Sequence, residues 1–249
     1  MPQINLLGVP VDFPFDPYDC QITYMEKVIE CLETSNNALL ESPTGTGKTL
    51  CLLCSALAWQ LRAKTLSKLS SGLEGSGIAQ HHTIFYASRT HSQLSQVVKE
   101  LKNTVYKPTI SILGSREQLC VNEEVKRLGG SLQNHACGEL TKNRSCRFKN
   151  NLEDVSRGGG NSEAAPIMDI EDLVAHGKME KVCPYYLSRD AMATADLVLL
   201  PYNYLLDPLY RKAVKAPWRD AVVIFDEAHN VEQVAADAAS FELSSLDVA

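Results

Sequence analysis

Two short stretches of this chain carry residues suited to handling a phosphate. "SPTGTGKT" spans residues 42–49 and "DEAH" spans 226–229. In the first, Gly45 and Gly47 permit backbone conformations that turn amide N–H groups toward an anion. Lys48 brings an ammonium for the β- and γ-phosphates of a nucleoside triphosphate, and the Thr49 hydroxyl suits Mg²⁺. Ser42 stands where the usual phosphate-loop pattern begins with glycine; Pro43, Thr44 and Thr46 complete the loop. In the second stretch Asp226 would hold Mg²⁺, directly or through water, and Glu227 would orient or deprotonate an attacking water. Each stretch also has a plainer reading, a Gly-rich turn before a helix and an acid-rich helix start. Found together, each after an apolar run, they point to ATP·Mg²⁺ and its hydrolysis.

A third group is the cysteines. The chain has eight, at positions 20, 31, 51, 54, 120, 137, 146 and 183. Cys120, Cys137, Cys146 and Cys183 fall in or beside one irregular polar segment, with spacing C-x16-C-x8-C-x36-C. Pro184 follows the last of them, as in many ferredoxin cluster motifs. Four soft thiolates suit an iron–sulphur cluster or zinc, although structural zinc sites favour closely spaced cysteine pairs. His135, two residues before Cys137, competes for a place in such a set. Cys51 and Cys54 form a C-x2-C pair, but on a helix apolar nearly all round, where a core role is expected.

These residues need a frame. "NALLES", "TIFYAS" (83–88), "TISIL" (109–113), "DLVLLP" (196–201) and "AVVIF" (221–225) read as strands. Residues 48–61 read as a buried helix, and Leu94, Val97, Val98 and Leu101 share one helical face. Apolar strands alternating with helices predict an α/β fold, a RecA-like, mostly parallel sheet with helices on both faces. Residues 115–184 break the rhythm and are expected to be an insertion. The motor domain would then comprise residues 1–114 and 185–235, with a further insertion starting in 236–249. "SKLSSGLEGSGIAQHH" (67–82) and "SRGGGNSEAA" (156–165) are expected to be loops.

Composition narrows the setting. The 249 residues are 45% hydrophobic and 22% charged, with a net charge of −6. This excludes a wholly basic surface but leaves room for one basic groove. No run approaches the ~20 apolar residues of a membrane span. The N-terminus lacks a signal-peptide pattern, so a cytosolic or nuclear protein is expected.

The motifs resemble a known family. "SPTGTGKT" with "DEAH" is similar to superfamily 2 helicases. "YASRTHSQ" (86–93) resembles their motif Ia. "FPFDPYDCQ" (13–21), "GSREQLC", "CPYYLSR" and "PYNYLLD" resemble the iron–sulphur helicases of the xeroderma pigmentosum group D type. The resemblance covers essentially the whole chain. It implies Phe15, Pro17, Tyr18 and Gln21 near the adenine, with core packing the competing role for Phe15. It implies that Arg89, Thr90 and His91 line a DNA track and that His229 couples the nucleotide site to DNA; capping the next helix is the alternative for His229. It favours a [4Fe–4S] cluster on Cys120, Cys137, Cys146 and Cys183. Lys126, Arg127, Lys142, Arg144, Arg147 and Lys149 would form a basic surface near it, or merely a solvated loop. The activity implied is an ATP-dependent, 5′–3′ DNA helicase of repair, recombination and telomere maintenance, acting in the nucleus on single-stranded DNA, forks or junctions.

A helicase needs a second motor domain, which supplies arginines to the transition state. No "QxxGRxxR"-like stretch occurs here. The chain is therefore expected to be the first motor domain and cluster domain of a longer protein, or a short gene product. A nucleotide- and DNA-binding module, inactive by itself, is the competing reading. An unrelated phosphate-loop ATPase or kinase with a zinc ribbon is a third.

Overall fold

A small antiparallel hairpin opens the chain: β1 (Gln3–Leu6) pairs with β2 (Val9–Asp12). Leu7 and Gly8 turn it with φ of 51° and 83°, the left-handed pair that suits a two-residue hairpin. The computed structural model describes residues 2–71, 82–157, 166–214 and 216–241. After the hairpin, α1 (Asp19–Thr34) buries Met25, Val28 and Ile29. It packs on α2 (Lys48–Ser71), whose residues 50–60 are all buried.

The main sheet has four parallel strands: β3 (Ile84–Ser88), β4 (Ile110–Ile112), β5 (Leu197–Pro201) and β6 (Val222–Phe225). Their spatial order is β4-β5-β3-β6. Every residue of β3 and β5 is buried, which accounts for their unbroken apolar sequences. Alternate side chains feed opposite faces. Ile84, Tyr86, Leu197 and Leu199 join α1, α2 and α3 (His91–Lys102) in one core; Phe85, Ala87, Val198 and Leu200 join a second. The parallel sheet covered on both faces is thus as expected.

Three expectations need correction. "NALLES" forms no strand: Leu40 touches the main core, Leu39 is 92% exposed, and no ladder bonds tie the run to β6. Apolar content alone does not make a strand when one of two leucines faces water and Pro43 offers no N–H. The helix expected at 48–61 continues to Ser71, because "LRAKTLSKL" is rich in good helix formers. Residues 67–71 of the expected loop are therefore helical; 72–81 lie outside the described residues, as do 158–165 of the second expected loop.

The 115–184 segment is helical rather than irregular. It holds α4 (Arg116–Leu119), α5 (Glu123–Lys126), α6 (Gly130–Lys142), α7 (Arg147–Arg157) and α8 (Ile170–Met179), and leads into α9 (Pro184–Ala191). Ser115, Asn122 and Asp169 cap α4, α5 and α8 with side-chain oxygens, as such residues do at helix starts. The segment looked polar because each helix buries few residues. Leu119, Val121, Phe148, Leu173, Cys183 and Tyr185 form its separate core. Gly177 lets α8 approach α9; a Cβ there would clash with the Pro184 ring. The chain then adds α10 (Asn203–Leu206), α11 (Pro208–Val214) and, beyond β6, α12 (Val231–Ala239). Among the described residues no helix is long and apolar enough to cross a membrane.

Candidate functional site

The loop 42–49 leads into the N-terminus of α2, which begins at Lys48. Gly45 and Gly47 take φ of 82° and 70°, values that disfavour any side chain. The loop is cross-braced: Ser42 Oγ and Thr46 Oγ1 lie 2.6 Å apart, and Thr46 Oγ1 donates to the Pro43 carbonyl at 2.8 Å. Ser42 thus has a job that the usual glycine could not do. Lys48 Nζ donates to the carbonyls of Ser42 and Pro43 at 3.2 and 3.4 Å, folded back over its own loop. Gln21 ties this loop to the N-terminal segment. Its Nε2 donates to Thr46 O at 3.0 Å, and its Oε1 accepts from the Tyr18 N–H at 2.9 Å. Phe15 and Tyr18 are 65% and 73% exposed, so core packing does not explain Phe15; Phe13 takes that role at 0%. An exposed aromatic pair beside Gln21 suits a stacked base.

Asp226 follows the last residue of β6, and its N–H donates to Ala87 O at 2.9 Å. The Tyr202 hydroxyl donates to the Asp226 carbonyl. Burial pushes the Asp226 carboxyl up, while the Tyr86 phenol and Lys48 pull it back down. Lys48 and Asp226, remote in sequence, therefore share one electrostatic environment. Thr49 and Asp226 both act on the Tyr86 phenol, which burial pushes well up. Glu227 sits at φ 56°, a left-handed backbone that is strained for a non-glycine and is typical of functional sites. His229 Nδ1 lies 3.4 Å from Glu227 Oε2, and its Nε2 is 2.9 Å from Asn230 Nδ2. Asn230, not His229, precedes α12 as its cap residue. Arg89 Nη1 donates to Asn230 Oδ1 at 3.0 Å, so Asn230 links the segment after β3 to the acid pair.

The other expected DNA residues divide. Arg89 and Thr90 are exposed just past β3. The Thr90 hydroxyl caps α3 by accepting from the Gln93 N–H, and the Thr90 N–H donates to Gln93 Oε1 at 3.1 Å. The T-x-x-Q spacing of "THSQ" carried that signal. His91 has a buried Nδ1 without a partner, and burial lowers its pKa. Arg89 and His91 line a cavity of about 240 Å³ with Ser115, Gln118, Tyr202, Asn203, Tyr204 and Tyr210. The tyrosines and Asn203 were not expected there.

Cys120, Cys137, Cys146 and Cys183 line a single cavity together with Val121, Leu140, Phe148 and Tyr186. Among the described residues no histidine or carboxylate joins its wall, and His135 is exposed elsewhere. The Arg116 guanidinium lies 4.2 Å from the Tyr185 ring centroid and feels Cys137 electrostatically. Burial pushes the Cys183 thiol up to about 11 and raises Cys120 as well. Among the described residues no three metal-capable side chains stand in a ligating arrangement. The donor set itself, four soft thiols in an apolar pocket, fits an iron–sulphur group better than a hard cation. Cys51 and Cys54 are 1% and 0% exposed in the main core. Burial pushes both thiols up to about 12, so they are inert packing. Of the basic residues, Lys126, Arg127, Lys142, Arg144 and Arg147 are exposed. Lys149 is engaged: it lies 4.6 Å from the Tyr186 ring centroid and 3.6 Å from Glu153.

Fold and loop together define a RecA-like α/β domain, with the loop and the acid pair meeting at one edge of a parallel sheet. Comparison with known proteins then gives the family: the model of the DEAD_2 family matches residues 86–248, and the chain belongs to that family. The rice (Oryza sativa subsp. japonica) "Regulator of telomere elongation helicase 1 homolog" is 49% identical over 98% of this chain and 27% of its own length. The mouse (Mus musculus) "Regulator of telomere elongation helicase 1" is 49% identical over 100% of this chain and 23% of its own. The chain thus spans about a quarter of the length of these curated relatives. A solved XPD helicase shares the fold, with a TM-score of 0.59 and 24% identity, covering 88% of this chain and 34% of that one.

Proposed function

We propose that this chain is the first motor domain, with a cysteine-cluster domain, of an ATP-dependent DNA helicase. What carries this reading is the meeting of Lys48, Thr49 and Asp226 at one edge of the sheet. The Gly45 and Gly47 turns would offer backbone N–H groups to the phosphates. Lys48 would leave the Ser42 and Pro43 carbonyls for the β- and γ-phosphates. Thr49 and Asp226 would hold Mg²⁺, which supplies charge neutralisation at the phosphates when bound. Glu227 would take the proton of the attacking water, with His229 beside it. Phe15, Pro17, Tyr18 and Gln21 would border the adenine.

Single-stranded DNA would run past Arg89, Thr90 and His91, with the basic residues of the insertion meeting the phosphate backbone at a fork or junction. Cys120, Cys137, Cys146 and Cys183 would hold [4Fe–4S], whose binding would cross-link the helices of residues 115–184. Translocation 5′–3′, a place in repair, recombination and telomere maintenance, and action in the nucleus are proposed from the family and from the names of the two telomere-elongation relatives. The test is turnover in a longer protein that contains this chain. Lys48→Ala should abolish ATP hydrolysis and unwinding while leaving the melting temperature unchanged, because Lys48 contacts loop carbonyls rather than the core. Wild-type turnover in the variant would end the phosphate-loop assignment.

A further inference from the structure

Tyr86 is a puzzle for the fold. It lies on β3, between β5 and β6, with 0% of its surface exposed. Its hydroxyl is buried and has no partner at hydrogen-bonding geometry. A buried polar atom without a partner costs stability. Phenylalanine would fill the same space at no such cost. Something other than packing must favour the hydroxyl.

Strand register says where it points. Tyr86 pairs with Ile224 on β6, and Ala87 pairs with Phe225. Asp226 extends that ladder by one step, through its N–H to Ala87 O at 2.9 Å. Alternation puts Tyr86, Ile224 and Asp226 on one face of the sheet. That face carries α2, since Tyr86 and Ile224 belong to the same core as Leu50, Cys51 and Leu53. Thr49 is in the first turn of α2. Asp226 and Thr49 both act on the phenol through hydrogen bonding, and the phenol in turn pulls the Asp226 carboxyl down, although the hydroxyl has no partner at ideal hydrogen-bond geometry. Tyr202, in contrast, already holds the Asp226 backbone through its carbonyl.

We propose that Tyr86 is a positioning residue of the nucleotide site: its phenol donates to the Asp226 carboxylate and holds it for a divalent cation shared with Thr49. This rests on the reading of Asp226 as a magnesium-holding side chain. A phenol donor fixes one carboxylate oxygen and leaves the other for the metal. Such outer hydrogen bonds orient metal ligands, and their loss typically weakens affinity by ~10–100-fold.

The experiment uses the full chain, a fluorescent non-hydrolysable ATP analogue, and Mg²⁺ as the titrant. In Tyr86→Phe the half-saturating Mg²⁺ concentration should rise about tenfold. Analogue binding in EDTA should stay at the wild-type level. The melting temperature of the unliganded variant should equal or exceed that of wild type, because the change removes an unpaired polar atom. A hydroxyl with a merely structural role would give the opposite pattern: an unliganded melting temperature lower by several degrees, which would overturn the proposal. Asp226→Asn is the control for the underlying reading. If it shifts the Mg²⁺ titration while Tyr86→Phe does not, the phenol has no part in the site. If neither variant shifts it, Mg²⁺ is not held at Asp226, and the proposal falls together with that reading.

Discussion

At the proposed nucleotide edge, Asp226 follows β6 of a sheet whose β3 and β5 are buried along their whole length, and Lys48 and Thr49 open α2, which is buried over residues 50–60. In the insertion, the four cysteines sit at the end of α4, within α6, before α7 and before α9, around a core of six buried residues. The first site takes its geometry from the backbone ladder that carries Asp226 and from the buried helix that carries Lys48 and Thr49. The second relies on side chains from short helices, and cores of such small units rarely suffice without a staple. The nucleotide site should therefore outlast loss of its ligand, whereas the cysteine site should be ordered by what it binds.

The largest effect that would break this contrast concerns the metal. Cys146→Ser should remove iron, about four atoms per chain for an intact [4Fe–4S] cluster, from anaerobically purified protein. Thiolate–metal ligation in structural sites is worth on the order of 10 kcal/mol. Hydrogen exchange should then accelerate across residues 115–184 and leave β3, β5 and α2 protected. Metal analysis finding one zinc and no iron in the wild-type chain would overturn the cluster assignment. Exchange that accelerates equally in the sheet would erase the contrast.

Next in size is the turnover of residues 1–249 alone. Arginines from an opposing domain are worth ~10³–10⁵ in turnover in related phosphoryl-transfer enzymes. The isolated chain should bind ATP weakly, release phosphate slowly whether or not single-stranded DNA is present, and unwind nothing. Robust DNA-stimulated release that disappears in Lys48→Ala would mean that a complete site forms here. Glu227→Gln sharpens the picture at a smaller scale. In a longer protein it should keep ATP binding and lose ~10²–10⁴ in hydrolysis, the usual range for a lost general base. Loss of ATP binding instead would make Glu227 a ligand rather than a base.

The smallest effect tests the two kinds of cysteine against each other. Cys54 is fully buried in the main core. Cys54→Ser should destabilise the sheet-bearing core by ~1–3 kcal/mol, the cost of burying an unpaired hydroxyl, without changing the iron content. A chemical melt combined with iron analysis reads both. Iron loss would place the C-x2-C pair in a metal site.

Much of this was legible in the sequence because local pattern and local structure agree. Unbroken apolar runs gave β3, β5 and β6, and the Leu94–Val97–Val98–Leu101 spacing gave α3. "SPTGTGKT" and "DEAH" carry the residue types and short spacing on which the proposed chemistry rests. Local pattern failed where the outcome depended on partners. "NALLES" has the composition of a strand and lacks its ladder. The insertion has capped helices that are too polar to advertise themselves. The hairpin of β1 and β2 went unread, though Ile4, Leu6, Val9 and Val11 alternate around a Leu-Gly turn.

What the sequence determined by itself is the inventory: a Gly-rich loop with a lysine and a threonine, an acid pair, four clustered thiols, and the strands and helices that carry them. Only the tertiary structure decided which members meet. It put the Lys48 ammonium within the field of Asp226, four cysteines around one cavity while sending His135 and Cys51 elsewhere, and the Tyr86 hydroxyl beside Asp226 and Thr49. The reason is the range of the forces involved. Helix and turn preferences act over a few residues, whereas a parallel sheet joins segments of any separation once their buried faces match, so the contacts that make a site follow from packing rather than from spacing.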